Sequence, residues 1–357
     1  MGDVMSRSVL VGAGIVVASA ALLAFLFARE DAPAPSAGSG LREITFVTDW
    51  KAQAEQGGFY QAKAMGFYED AGLDVTIRQG GPGVNVPQLI AAGAVDMGMG
   101  SNSFIPLNTI AAGAKMKAVM ASFQKDPQVL ITHPRADVQS IADMKGKPIM
   151  VSDATISAFW VWLRAKYGFE DTQIRKYTFN LAPFLSDPEA IQQGYLSSEP
   201  YLIERQGGVE PQVFLLSDYG YPGYGAFVLA PDSLIEEEPE VVQAFVDATI
   251  KGWISYLYDD PAPGNTLILE DNPEMSEDVL AQAVEKLQAY GIVDSGETAE
   301  LGIGAMSDER WKEFFELMAR EGVYDPSLNY KEAYTLHFIN NGYGLDYQRG
   351  LGGGLGE

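Results

Sequence analysis

After Leu41 the chain keeps switching between two hydrophobic periods, and this alternation limits its fold more than any other feature. The runs ITFVTD (Ile44 to Asp49), LDVTI (Leu73 to Ile77), AVDMGMG (Ala94 to Gly100) and KAVMASF (Lys117 to Phe123) are short, apolar or alternating, with helical stretches between them. Such a pattern predicts βαβ units on a mostly parallel sheet, an α/β fold. A second set follows: KPIMVSD (Lys147 to Asp153) runs into a helix over ISAFWVWLRAKYG, and QVFLLSD (Gln212 to Asp218) reads as a strand. Beyond Pro231 the pattern turns helical, with amphipathic runs at 240–258, 276–290 and 308–320. From residue 344 through the closing GLGGGLGE a flexible tail is expected.

The N-terminus obeys a different rule. After a short tail, residues 1–8, the run from Val9 to Ala28 carries no charge, matching the ~20 residues a helix needs to cross a bilayer. A cleaved signal has a shorter apolar core and a small-x-small cleavage site. Leu26-Phe27-Ala28 offers a poor one, so a retained anchor is expected over a cleaved signal, with export in either case. Residues 29–40, REDAPAPSAGSG, have the composition of a flexible linker. Arg7 precedes the span and Glu30 and Asp31 follow it, which orients the long C-terminal part away from the cytoplasm. The expected location is the periplasm or extracytoplasmic face, anchored to the inner membrane by residues 9–28.

Composition narrows the functions. Asp and Glu number 48 against 24 Lys and Arg, a formal charge of -24. Such a field repels a phosphate backbone, so nucleic acid is an unsuitable partner. The absence of cysteine removes disulfides, thiolate metal sites and a Cys nucleophile. His133 and His337, the two histidines, lie far apart in sequence and supply a zinc site or a Ser-His-Asp triad poorly. The scattered carboxylates show no loop spacing that would converge on a cation. No metal or cofactor is expected.

The richest stretch is VTDWKAQAEQGGFYQAKAMGFY, Val47 to Tyr68. It places Asp49 and Trp50 where a strand should end and Phe59 and Tyr60 in the first turns of the following helix. Open α/β sheets bind ligands at the carboxyl ends of their strands. A second clue is an echo: PQLIAAG (Pro87 to Gly93) and PEAIQQG (Pro188 to Gly194) share P-x-x-I-x-x-G. Their corresponding places suggest two similar lobes facing across a cleft.

TDWKAQAEQGGFYQAKAMGFYEDAGLDVTI, GGPGVNVPQLIAAGAVDMGMGS, SIADMKGKPIMVSD and PEVVQAFVDATIKGW together resemble the substrate-binding proteins of ABC importers in the thiamine-precursor-binding (NMT1/THI5-like) family. The resemblance covers most of Leu41 to about Tyr343. It implies a type II periplasmic-binding-protein fold: lobe 1 from residues 41–130 plus 226–343, lobe 2 from 131–225, with crossings near VLITHP (129–134) and YPGYGAF (221–227). It further implies a monomer that captures a small, heteroaromatic or amine-bearing, pyrimidine-like metabolite and delivers it to an ABC permease with its ATPase. The ligand-binding candidates it suggests are Asp49, Trp50, Phe59, Tyr60, Ser101 and Asn102 from lobe 1, and Ser152, Thr155, Ser198, Glu199 and Tyr201 from lobe 2, with Tyr224 in the aromatic segment DYGYPGYG.

Other readings compete. The superfamily contains a fungal pyrimidine-synthesis enzyme that consumes its own His and a bound pyridoxal phosphate. This chain has Met99 and Gly100 where that enzyme has its Lys, Ser103 and Phe104 where the reactive His follows, and no Cys for the iron-associated run, at Pro222 to Ala226. The chemistry lacks its reactants, so no enzyme is expected. A membrane-anchored ligand sensor would carry the same site and differ only in its partner. Pyrimidine-binding relatives often have His before GFY in the first helix, whereas Gln56 stands here. Residue by residue, Phe59 reads also as core, because a helix must bury one face on its sheet. Trp160 and Trp162, two apart on a helix, cannot share a face. DYGYPGYG has the Gly and Pro density of a hinge.

Overall fold

The computed structural model describes residues 40–352 except Pro82. The expected membrane run at 9–28 lies outside the described residues, and among those described no helix is long and apolar enough to cross a membrane.

Ten strands form two five-stranded sheets among the described residues. In chain order they are β1 Arg42–Val47, β2 Leu73–Arg78, β3 Met97–Asn102, β4 Met116–Phe123, β5 Gln128–Thr132, β6 Ile149–Val151, β7 Ile174–Lys176, β8 Ile191–Tyr195, β9 Gln212–Leu215 and β10 Gly225–Pro231. One sheet has the order β2-β1-β3-β10-β4 and the other β7-β6-β8-β5-β9. The two orders are equivalent. In each, the first three strands run parallel, and the strand inserted next to them, β10 or β5, is antiparallel to its neighbours. The chain passes from one sheet to the other through residues 124–127 and returns through 216–224. Both crossings therefore lead directly into an antiparallel strand.

The long helix Pro239–Tyr258 backs the first sheet. Phe46 of β1 meets Phe245 of that helix at 5.1 Å between ring centroids and Phe59 of the helix Gly57–Ala64 at 4.7 Å. Two glycine contacts make this packing unusually close. A Cβ on Gly252 would sit 2.1 Å from the Gly58 carbonyl oxygen, and one on Gly58 would sit 2.2 Å from the Trp253 ring. The QGG that follows the first strand exit thus lets the helix seat directly on its neighbour and fixes the turn before it.

Several expectations are corrected. The P-x-x-I-x-x-G echo does not mark equivalent structure: its first copy lies on the helix Val86–Ala91, whereas Ile191 to Gly194 of the second copy belong to β8. The likeness of the two sheets rests on strand order instead. VLITHP is not the crossing, because Val129 to Thr132 are a buried central strand. Residues 345–350 are not a flexible tail but a helix, with Gln348 buried and donating to Asp294 at 2.5 Å. Trp160 and Trp162 are both buried, Trp160 donating to Asp171 at 3.0 Å and Trp162 packed 5.4 Å from the Tyr221 ring.

The Gly252 contact is with backbone, which cannot yield as a flexible side chain would. Gly252→Ala is expected to lower stability by about 1–3 kcal/mol, the usual cost of overpacking, and urea unfolding followed by far-UV circular dichroism measures it.

Candidate functional site

The site forms where loops at the carboxyl ends of the parallel strands of one sheet meet those of the other. Past β1, the Thr48 hydroxyl donates to the Trp50 carbonyl at 2.7 Å and accepts the Gly80 amide at 3.0 Å. This lock fixes the turn that carries Asp49 and Trp50, both partly buried. The Asp49 carboxylate accepts from Ser101, the penultimate residue of β3, and lies 3.4 Å from the Gln56 amide nitrogen. Burial holds its pKa above the usual carboxylate value despite those donors. Glu55, in the next short turn, is also buried and raised, again mainly by desolvation, with Glu199 and Asp49 adding repulsion.

The second sheet contributes the opposing groups. Glu199 opens the helix Glu199–Gly207. Its carboxylate accepts the Tyr195 amide at 2.8 Å and the Tyr177 hydroxyl at 3.1 Å, and burial raises its pKa. Ser197 donates across the gap to Glu55, and the Trp50 ring lies 5.7 Å from that of Phe179. Near the first crossing, buried Asp126 accepts the Gln128 amide at 3.1 Å and is pushed up to about 7 by desolvation. Burial, then the charges of Asp126, Asp49, Glu55 and Glu199, raise the Tyr195 phenol. The Tyr195 phenol thus feels four carboxylates, drawn from both halves of the molecule. Among the described residues no group of three or more His, Asp or Glu is arranged to hold a metal ion.

The structure brings together Asp49, Trp50, Ser101 and Glu199 of the expected residues. Ser152 and Thr155 are buried in a set of their own, bonded to each other at 3.0 Å and to the Gln193 carboxamide. The Asn102 side-chain oxygen accepts the Phe104 amide at 3.1 Å at the start of the helix Phe104–Ala111, and the Ser198 backbone carbonyl accepts the Leu202 amide as the first bond of its helix. Tyr201 lies on the rim, donating to Asp278 at 2.7 Å beside Arg205. Three candidates stand apart. Phe59 is core against Phe46 and Trp253. Tyr60 is buried with its hydroxyl on Asp271 at 2.7 Å. Tyr224 is packed under the Arg310 guanidinium at 3.8 Å, its oxygen accepting the Ser307 amide. Gln56, the residue at the variable family position, is buried against Asp49 and Met99. Sequence reasoning missed Glu55, Asp126, Tyr177, Phe179 and Ser197. Glu55 alone carried a usable signal, as an acid six residues past Asp49 in the same strand-exit stretch.

A family model described as NMT1/THI5 like matches residues 53–263, and the chain belongs to that family. It is 25% identical to the riboflavin-binding protein RibY of Chloroflexus aurantiacus over 87% of this chain and 90% of that one. It is also 25% identical to the formylaminopyrimidine-binding protein of Halalkalibacterium halodurans, over 82% and 89%. An enzyme is among its relatives too: the 4-amino-5-hydroxymethyl-2-methylpyrimidine phosphate synthase of Schizosaccharomyces pombe, 25% identical over 70% and 75%. The two-sheet fold is that of periplasmic binding proteins. The aliphatic sulphonate binding protein SsuA of Escherichia coli superposes with a TM-score of 0.64 at 15% identity, covering 82% of this chain and 92% of that one.

The raised carboxylates bind protons more tightly folded than unfolded. Their stabilisation is present below the unfolded carboxyl range and is lost as pH rises through the folded values, for Asp126 up to about 7. The thermal midpoint of the ligand-free protein is therefore expected to fall between pH 5 and pH 8. Asp126→Asn should flatten the slope by on the order of 2–4 kcal/mol across that span, as differential scanning fluorimetry with matched ionic strength can check.

Proposed function

We propose that this chain is the extracytoplasmic substrate-binding component of an ABC importer. It captures a small heteroaromatic or amine-bearing metabolite between two lobes, one built on each sheet, with β5 in the second lobe and the chain crossing at residues 124–127 and 216–224, and passes it to a permease. The observation that carries the reading is the gathering, where loops of the two sheets meet, of Trp50 against Phe179, of buried Glu55 bonded to Ser197, and of partly buried Asp49 and Glu199. A flat ring and acceptor-only carboxylates suit a planar ligand bearing N–H donors. The named ligands of two relatives, riboflavin and formylaminopyrimidine, are nitrogen heteroaromatics of that kind.

Synthase activity is the second reading, favoured by the similarity to pyrimidine phosphate synthases. At the positions of the expected reactive Lys and His, however, the structure has Met99 and Gly100 in β3, and Ser103 with its hydroxyl accepting the Tyr224 amide at 2.9 Å. These offer neither a Schiff-base amine nor an imidazole. An anchored sensor would bind in the same way, and crosslinking to a permease rather than to another membrane partner separates the two.

The direct test is mass spectrometry of the small molecule that co-purifies with the full chain. With that ligand, Glu199→Gln keeps the shape and removes the negative acceptor. Titration calorimetry should show a loss of roughly 1.5–3 kcal/mol for the ligand and little for an analogue lacking its N–H donors. Equal loss for both removes Glu199 from recognition. Anchoring by residues 9–28 predicts retention in the membrane fraction after a high-salt wash, since screening does not weaken an apolar span. A soluble mature form beginning after residue 28 contradicts it.

A further inference from the structure

The loop between β7 and the short helix Ala182–Ser186 contains an expensive residue. Phe179 has φ +57°, the left-handed region that a bulky side chain enters only at a steric cost. No core packing offsets that cost, because the residue is 59% exposed. What it does touch is specific. Its ring lies 5.7 Å from Trp50 of the opposite sheet's loop and 5.2 Å from Tyr177, whose hydroxyl is bonded to Glu199. A strained, exposed aromatic thus spans the gap between the group that offers a flat face and the group that offers a carboxylate.

We propose that Phe179 is a specificity-determining residue, the second jaw that closes on the face of a planar ring received by Trp50. The assignment rests on the reading of the site as a cleft for heteroaromatic ligands and adds what selects among them. Strain persists where the surrounding structure over-determines it, and here it aims a ring at the opposite lobe instead of into its own core. A ring with few conformers supplies contact area at low entropic cost. Tyr177 braces it from behind and links the jaw to Glu199, so ring recognition and donor recognition share one loop.

Phe179→Gly separates a binding role from a structural one, because glycine adopts the same backbone at no steric cost. The full chain in detergent is titrated by calorimetry with riboflavin, with formylaminopyrimidine and with a linear aliphatic diamine, and thermal midpoints are measured alongside. The expected result is that wild type binds at least one planar compound, that Phe179→Gly weakens it roughly tenfold with an unchanged midpoint, and that Phe179→Leu restores only part. Unchanged affinity in both variants overturns the jaw and leaves the cleft reading standing. A parallel fall of midpoint and affinity also overturns it, since the ring would then be holding the loop. Wild type binding only the diamine overturns the planar reading and the jaw with it. Binding of none of the three overturns the cleft reading itself for these ligand classes.

Discussion

The geometry of the cleft depends on one buried guanidinium. Arg310, on the helix Asp308–Arg320, donates from Nε to the Pro222 carbonyl at 2.8 Å, and from Nη2 to the carbonyls of Gly223 at 2.9 Å and Gln124. Gln124 belongs to the outgoing crossing and the other two to the return. Crossing segments lie outside both ladders, so their carbonyls have no strand partner, and a buried unpaired carbonyl is costly. A planar fork with five donors can satisfy several at once where a lysine could not. The same group stacks on Tyr224 and tempers the rise of Asp126. By holding both crossings together it sets where β5 and β10 enter their sheets, and with them which loops face each other.

Around that cation the site is built with the opposite sign. Desolvation raises Asp49, Glu55 and Glu199, and what lowers them in part is neutral: the Ser101 hydroxyl and Gln56 amide, the Ser197 hydroxyl, and the Tyr195 amide and Tyr177 hydroxyl respectively. Neutral donors satisfy a carboxylate's geometry without cancelling its charge, so the cleft keeps a negative potential that a donor-rich or cationic ligand can use. Proton uptake competes for the same oxygens. On the proposed reading, ligand capture and the pH dependence of the free protein would share these groups, with Asp126 adding to the pH dependence.

How much of this was legible in the sequence can be seen residue by residue. The α/β alternation and the strand-exit position of Asp49 and Trp50 were visible because hydrophobic period and turn position are local properties. Glu199 was visible through the family resemblance. The structure puts Phe59, which the sequence also read as core, and Tyr60 away from the other candidates, because their helix is covered on several sides, by the sheet, by Pro239–Tyr258 and by Ala262–Asp271, and one periodic stripe could not show that. Tyr224 attracted notice as an aromatic among glycines, yet the partner that claims it, Arg310, lies 86 residues further along the chain. Phe179 and Ser197 become site residues only through the loop they meet on the other sheet, and Phe179 through a backbone angle with no composition signature.

The contacts that bring the two halves together are mostly of a weak kind. Arg205 and Asp278 meet at 2.5 Å but remain about half exposed, 53% and 46% of their side-chain surface, and such surface pairs contribute about 0–1 kcal/mol. Gln282 donates to the Ser197 carbonyl at 2.5 Å beside the Ser197 to Glu55 bond. Glu55 must give up water to make that bond, so its net gain is small as well. The Trp50 to Phe179 ring pair adds about 0.5–1.5 kcal/mol at most. Against these stands the mutual repulsion of carboxylates drawn from both sheets. A balance made of terms this small is one that a ligand touching both sides can tip, because a shift in population needs only a differential affinity of a few kcal/mol. On the proposed reading, like-charged carboxylates across the gap oppose closure until a donor is placed between them, so the charges proposed to select the ligand would also make closure depend on it.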